Sequence, residues 1–203
     1  MARTNNYLIQ AQQAKLRFSG YDQQKLIRKL NLASDEGYLY VPMLAEIYRI
    51  HRQTGDMSRK TEAGWVDANS YEEVMTLLDL VCDSREDRFL AGQWKNMTEF
   101  GLMFHRNLLE GKTDPWAEKF QADPEGFRQA CEDLGGKPFA LGDIAYAIEL
   151  FDGLSVLVQL WFGDEEFPAC LRFLWDRNAL MYIKYETMYF AKALLLQKIA
   201  DRM

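Results

Sequence analysis

The residues best suited to chemistry are three consecutive carboxylates, Asp164, Glu165 and Glu166, in the segment 163–168. Neighbouring carboxylates on a tight turn repel one another, and a divalent cation such as Mg²⁺, Mn²⁺ or Ca²⁺ relieves that repulsion. Asp143 begins the first of three predicted strands, so we expect it to approach the same turn. One interpretation is a site for a metal or a cationic ligand. The other, which the lack of calcium-loop spacing favours, is a solvated turn in which Asp164 hydrogen-bonds its own backbone.

A carboxylate-based enzyme at this turn would need a general base, and His105 is the candidate. The alternative for His105 is an ordinary, partly buried histidine. The sequence contains no Gly-x-Ser-x-Gly nucleophile motif and no Gly-x-x-x-x-Gly-Lys phosphate loop. Cys82, Cys131 and Cys170 are far apart and form no Cys-x-x-Cys pair, which predicts reduced, mostly buried thiols. The sequence therefore indicates no cofactor. A divalent cation is the one bound species for which it offers ligands, at the acidic turn.

A second set of candidates combines aromatic and polar side chains. Gln159 and Trp161 lie on the mixed face of the second predicted strand, and Arg172 is expected to reach that face from the third. An ideal two-residue hairpin would place Tyr146 opposite Gln159. Trp94 is a further candidate of the same kind. Such a face suits a ligand pocket or a protein interface, whereas a covering helix is the alternative interpretation.

The elements that position these residues follow from periodicity. Helical spacing predicts helices at 3–18, 21–31 and 185–201, and capping residues predict further helices after Ser70, Asp114 and Asp123. Alternation predicts an N-terminal strand pair within residues 38–50 and a C-terminal meander of strands at 143–151, 154–162 and 168–175. Asp152-Gly153 is the hairpin turn of that meander. The predicted fold is α+β, an antiparallel sheet with helices packed mainly on one face.

The length and the net charge of the chain limit the number of domains and the kinds of partner that we expect. The 203 residues predict one domain, 1–203, with a basic helical arm at 1–31 and an α+β body at 37–203. The net charge of −6 argues against a nucleic-acid partner. The basic arm is interpreted as resting on the acidic body or, alternatively, as docking an acidic partner. With no signal peptide or membrane span in the sequence, we expect a cytoplasmic protein that does not bind membranes, and a homodimer remains an option.

Several blocks of the chain resemble a known bacterial family. They include Gly142-Asp143, Trp161-Phe162-Gly163-Asp164-Glu165-Glu166-Phe167-Pro168 and Phe173-Leu174-Trp175-Asp176, with weaker similarity upstream. The family is catalogued as a domain of unknown function, number 3786. It occurs mostly in anaerobic bacteria, and some members are joined to a four-cysteine iron–sulfur domain akin to one in corrinoid iron–sulfur proteins. This chain has no clustered cysteines, so the resemblance implies at most a partner that carries such a centre.

Two functions follow as hypotheses. The first is a non-catalytic accessory module that binds a ligand or a protein and works with redox, corrinoid or iron–sulfur proteins of anaerobic metabolism. Its support is the absence of a catalytic constellation together with the aromatic, partly polar sheet face. The second is a small carboxylate-based enzyme, with or without a divalent metal, whose site lies around residues 163–168. The enzyme requires these carboxylates to converge on one pocket, whereas the module requires an exposed patch.

Overall fold

The structure is a computed structural model that describes residues 2–100 and 114–203, and the side chains from residue 6 onward. His105 lies outside the described residues. The chain forms two compact units, the first comprising Met1–Arg88 with Leu180–Ala191 and the second Phe89–Ala179 with Lys192–Met203. The expectation that residues 1–203 fold as one domain stays a prediction. No helix in the described part of the chain is long and apolar enough to cross a membrane.

The first unit contains an antiparallel meander whose five strands lie side by side in chain order. They are β1 (Ala33–Ser34), β2 (Tyr38–Met43), β3 (Glu46–His51), β4 (Met57–Thr61) and β5 (Gly64–Asp67). Leu39, Val41 and Met43 alternate toward the core and are fully or almost fully buried. This period-two burial is what an antiparallel sheet with one covered face requires.

The helices of the first unit are α1 (Ala2–Ser19), α2 (Gln23–Leu30), α3 (Tyr71–Asp83) and the N-terminal part of α6 (Tyr185–Ala200). The predicted capping box of α3 is present. The backbone N–H of Glu73 donates to Ser70 Oγ at 3.3 Å, and Glu73 Oε2 accepts from the backbone N–H of Ser70 at 3.3 Å. The helix buries Val74, Leu77 and Val81 completely, so its C-terminal carboxylates are held in a fixed position.

The second unit contains the other five-stranded antiparallel sheet, with strand order β6-β10-β9-β8-β7. Its strands are β6 (Trp94–Asn96), β7 (Lys137–Pro138), β8 (Ile144–Phe151), β9 (Leu154–Trp161) and β10 (Cys170–Asp176). Its helices are α4 (Pro115–Ala122), α5 (Pro124–Asp133) and residues 192–200 of α6. Short 3-10 turns cover Met97–Glu99 and Ala179–Met181. The predicted meander is therefore the centre of this sheet, with β6 and β7 added at its edges.

The hairpin between β8 and β9 differs from the ideal register by one residue. Asp152 and Gly153 have φ of 50° and 81°, as a tight hairpin turn requires. A bulge then shifts the pairing between Glu149 and Phe151. Gln159 consequently pairs with Ala145, and the expectation that Tyr146 would lie opposite it is wrong. Tyr146 instead lies on the other face, where its hydroxyl donates to Glu132 Oε1 at 2.9 Å.

The α+β class is confirmed, and so is the antiparallel pairing of the C-terminal strands. The strands belong to two sheets, and the predicted N-terminal pair is part of a five-stranded meander. The additional strands are short: β1 and β7 have two residues each, too few to show an alternating pattern.

Candidate functional site

The acidic turn is organised by its first carboxylate. Asp164 Oδ1 accepts hydrogen bonds from the backbone N–H groups of Glu166 and Phe167, both at 2.8 Å. The backbone N–H of Asp164 donates to the carbonyl of Phe167 at 2.9 Å and closes the turn. Hydrogen bonds from the backbone N–H groups of Phe167 and Glu166 lower the pKa of Asp164. Asp164 Oδ1 is therefore already engaged in hydrogen bonds that shape the turn. Glu165 and Glu166 are exposed beside it.

Asp143 is held next to this turn, as its place at the start of the meander predicts. Its Oδ2 accepts from the backbone N–H of Phe162 at 2.7 Å, and its own N–H donates to the carbonyl of Leu160 at 3.2 Å. Asp176, at the far end of β10, instead accepts from the N–H groups of Ala91 and Gly92. Within residues 2–100 and 114–203, no three His, Cys, Asp or Glu side chains are grouped to hold a metal ion.

The aromatic and polar candidates lie together on one face of the second sheet. Gln159 pairs directly with Arg172, and Trp94 pairs with Asp176, four residues further along β10 and therefore on the same face. Trp161 is two residues from Gln159 and shares that face. The Arg172 guanidinium carbon lies 5.4 Å from the centre of the Trp161 ring, within cation–π range. Gln159 is buried, whereas Arg172 is exposed and Trp161 is partly so.

Several large apolar side chains are exposed at the end of the sheet where Trp161 lies. We name these residues the aromatic end: Phe139, Leu141, Trp161, Phe162 and Phe167, each between 38% and 67% exposed. Trp161 ends β9, and the other four belong to the β7–β8 and β9–β10 connections, which an antiparallel sheet places at the same end.

Three contacts hold these connections in place. The hydrogen bond between Asp143 and Phe162 ties one connection to the other. Gly142 has φ of 66°, and a Cβ at this position would lie 3.4 Å from the Trp161 ring, so the first connection passes close to that ring. Trp94 adds an edge-to-face contact with Phe139, with ring centres 6.1 Å apart. The backbone that carries these exposed apolar side chains is therefore held in place by a hydrogen bond and by packing against aromatic rings.

Sequence reasoning missed four of these five residues. Phe162 is the last residue of the strand predicted at 154–162, but β9 ends at Trp161 and Phe162 is 40% exposed. Its backbone N–H pairs with the Asp143 side chain outside the strand ladder, so it does not occupy a sheet position. The only sequence signal was the density of apolar residues beside Gly142 and Gly163, where loops are normally polar.

A charged cluster in the first unit was also missed. Arg17 Nη2 donates to Asp79 Oδ1 at 2.8 Å and to Asp83 Oδ2 at 3.1 Å. Lys184 Nζ donates to the same two oxygens at 3.2 Å and 2.5 Å. These four residues form a ring of alternating charge, which we name the charge ring, and Thr187 adds a hydrogen bond to Asp79 Oδ2.

The charge ring lies beside a cleft of about 380 Å³, whose walls include Ala14, Met75 and Phe190. Each cation contacts both carboxylates, so the ring satisfies its own charges and holds α1, α3 and the start of α6 together. It is therefore a structural cluster, and each of its ion pairs joins residues that are 62 to 105 positions apart in the sequence.

Two of the three cysteines, Cys82 and Cys131, are buried in unreactive surroundings, whereas Cys170 is half-buried. Burial raises the pKa of the Cys82 and Cys131 thiols to about 12, so both stay protonated at neutral pH. A protonated, buried thiol is a poor nucleophile and a poor metal ligand. Both side chains act as small apolar groups of the core.

A comparison with known families matches residues 22–198 to the family model described as Domain of unknown function (DUF3786). The match covers all ten strands and every helix except α1 in full or in part. No curated protein and no solved structure matches the chain significantly.

Proposed function

We propose that this chain, which belongs to the DUF3786 family, is a non-catalytic module that docks a protein partner through the aromatic end. The observation that carries the proposal is the grouping of five exposed, large apolar side chains at one end of a sheet. Exposed apolar groups are ordinary when scattered, but a contiguous patch of aromatic residues on a soluble domain marks an interaction surface.

The chemistry of the patch is that of a protein interface. Trp, Phe and Arg are enriched in the residues that dominate binding energy, and Arg172 stacks on Trp161 beside the apolar groups. Full burial of one Phe or Leu side chain contributes about 1.5–3 kcal/mol. Two or three such side chains are enough to anchor a partner, and the Arg172 guanidinium favours one with an acidic group at the edge of its contact surface.

The class of partner is suggested by the family resemblance. Relatives joined to a four-cysteine iron–sulfur domain support redox, corrinoid or iron–sulfur proteins of anaerobic metabolism as partners. In this chain Cys82 and Cys131 are buried and the three cysteines are scattered. A partner protein would therefore supply the metal centre, and this module would supply the docking surface.

The carboxylate-enzyme alternative has weaker support from the same region. It needs free carboxylates that converge on one pocket, with a general base beside them. Asp164 and Asp143 each use an oxygen to bind backbone N–H groups. These bonds stabilise the two connections that present the aromatic end, so the carboxylates contribute to binding by shaping the surface.

The proposal is tested by affinity capture from anaerobically broken cells, with partners identified by mass spectrometry. A Phe162→Ser/Phe167→Ser variant removes two exposed phenyl groups and should lose at least nine-tenths of a partner that the unmodified chain captures. Leu180→Ser, at an exposed position in the first unit, is the matched control and should retain the partner. Equal capture by all three proteins would overturn the proposal. If the lost partner is a second copy of the chain, the patch is a homodimer interface.

A further inference from the structure

The first sheet has an outer face that carries aromatic and basic side chains. Leu39 and Val41 alternate into the core of the first unit, so Tyr38 and Tyr40 lie on the opposite face of β2. Arg49 pairs directly with Tyr40 in the β2–β3 ladder, which places its side chain on the same outer face. This face shares no residue with the aromatic end and is a separate surface.

The Arg49 guanidinium lies between two aromatic rings. Its Cζ atom is 4.4 Å from the centre of the Tyr38 ring and 4.3 Å from the centre of the Trp65 ring, both within cation–π range. Tyr38 belongs to β2 and Trp65 to β5, so the two rings flank Arg49 from opposite sides of β3. The faces of a guanidinium are weakly hydrated, so the rings hold it in place and leave its N–H groups available for binding.

The hydrogen-bonding capacity of Arg49 is not used within the described residues. Nε is screened from solvent and is closed to a ligand. The terminal nitrogens Nη1 and Nη2 have no partner in residues 2–100 and 114–203, but solvent reaches them. A guanidinium that stacking already holds loses little conformational entropy on binding, so these two nitrogens form a preorganised site for an oxyanion.

The two carboxylates of this face are occupied by other donors. Asp35 accepts hydrogen bonds from the Tyr40 hydroxyl at 2.6 Å and from two backbone N–H groups, and its charge acts on Arg49 only at longer range. Asp67 accepts from the side-chain amide of Asn69 at 2.7 Å. Neither forms an ion pair with Arg49, so the guanidinium is open to a carboxylate from another molecule.

Lys60 adds a second cation to the face. It pairs with Trp65 and is exposed. Arg49 pairs with Ser58, two residues before Lys60 on β4, so the two cations are neighbours on the same face. Lys60 has no ion-pair partner in the part of the chain that the structure describes. Two cations without ion pairs are complementary to a partner that carries free carboxylates.

We propose that the outer face of the first sheet docks an acidic segment of a partner protein, with one Asp or Glu side chain bound by Nη1 and Nη2 of Arg49. Two terminal nitrogens in one plane match the two oxygens of a carboxylate. Trp, Tyr and Arg dominate the binding energy of protein interfaces, and Tyr38 and Trp65 offer ring surface beside the bound carboxylate. The net charge of −6 opposes a long polyanion such as nucleic acid, whereas a short acidic segment carries few charges.

The test is a titration of the full chain, at constant ionic strength, with the capped peptide acetyl-Ser-Glu-Ser-Glu-Ser-amide. We expect saturable shifts of the NMR signals of the Trp65 indole N–H and the Arg49 Nε–H, with a dissociation constant of about 1 mM or below. The uncharged peptide acetyl-Ser-Gln-Ser-Gln-Ser-amide should shift neither signal. Arg49→Lys keeps the charge but loses the planar fork, and should weaken binding about fivefold. Arg28→Lys, at an exposed position on α2, is the matched control and should bind normally.

Three results would each overturn the proposal: no saturable response to the Glu peptide, an equal response to the Gln peptide, or unchanged affinity in Arg49→Lys. Tighter binding of a single-stranded oligothymidylate than of the Glu peptide would overturn the assignment of a protein partner. The comparison of the two peptides uses the native chain, so it does not depend on the folding of any variant. The Phe162→Ser/Phe167→Ser variant should bind the Glu peptide normally, which separates this surface from the aromatic end.

Discussion

At the scale of single residues, Asp83 shows how a largely buried carboxylate remains charged. Burial opposes ionisation, but hydrogen bonds from Lys184 and Tyr21 and the charge of Arg17 outweigh it, so the pKa of Asp83 lies below its ordinary value. A carboxylate whose pKa is lower in the folded state stabilises the fold above the unfolded-state pKa of about 4. That contribution is lost as the pH falls through the folded-state pKa.

Asp83→Asn should therefore lower the free energy of unfolding by about 1–3 kcal/mol at neutral pH, because it removes the charge that pairs with Lys184 and Arg17. The deficit should shrink as the pH falls below the unfolded-state pKa of about 4, and it should vanish only below the lower folded-state pKa, where the native carboxylate is protonated as well. Urea unfolding across this pH range measures both effects. Glu165→Gln, at an exposed position, is the control. A deficit that is the same at pH 3 and pH 7 would contradict the assigned role of the charge.

At the scale of elements, α3 contributes residues to several of the features described above. It begins at the capping box of Ser70 and ends at the C-cap Ser84, and it presents Asp79 and Asp83 to the charge ring. Its C-terminal end, at Cys82 and Ser84, also lines a cavity of about 310 Å³ beside α2. Both features depend on the stability of this one helix.

Ser70→Ala should destabilise the protein by about 1 kcal/mol, because the backbone N–H of Glu73 loses its cap. Thermal unfolding followed by circular dichroism measures this loss. Ser58→Ala, in β4 and away from any helix end, should change the melting temperature much less. Equal effects of the two substitutions would show that the cap contributes no more than an ordinary serine hydroxyl.

How well the sequence predicts a structural feature depends on how far apart in the chain its residues lie. The Ser70 capping box and the Asp152-Gly153 turn were predicted, because each is specified by residues close together in the chain. The bulge between Glu149 and Phe151 has no comparable local signature, so the register of β8 was misjudged by one residue. The charge ring and the aromatic end join distant segments, and a single sequence does not show which distant residues meet.

At the scale of the whole molecule, part of the charge of the basic N-terminal segment is paired with acidic residues elsewhere in the chain. The N-terminal 31 residues are basic, but Lys15 Nζ pairs with Asp56 at 2.9 Å and Arg17 belongs to the charge ring. These contacts favour the interpretation in which the basic arm rests on the chain's own acidic residues. The aromatic end is an apolar surface that its own unit leaves exposed, and the proposed partner binds there.

The most direct test of this account is photo-crosslinking in living cells with benzoylphenylalanine incorporated at position 167. This site is 67% exposed in the native chain and belongs to the proposed docking surface. The account predicts a discrete crosslinked partner from position 167 and none from the same probe at position 180, which is also exposed but belongs to the first unit. The same crosslinked species from both positions, or a partner from position 180 alone, would contradict it.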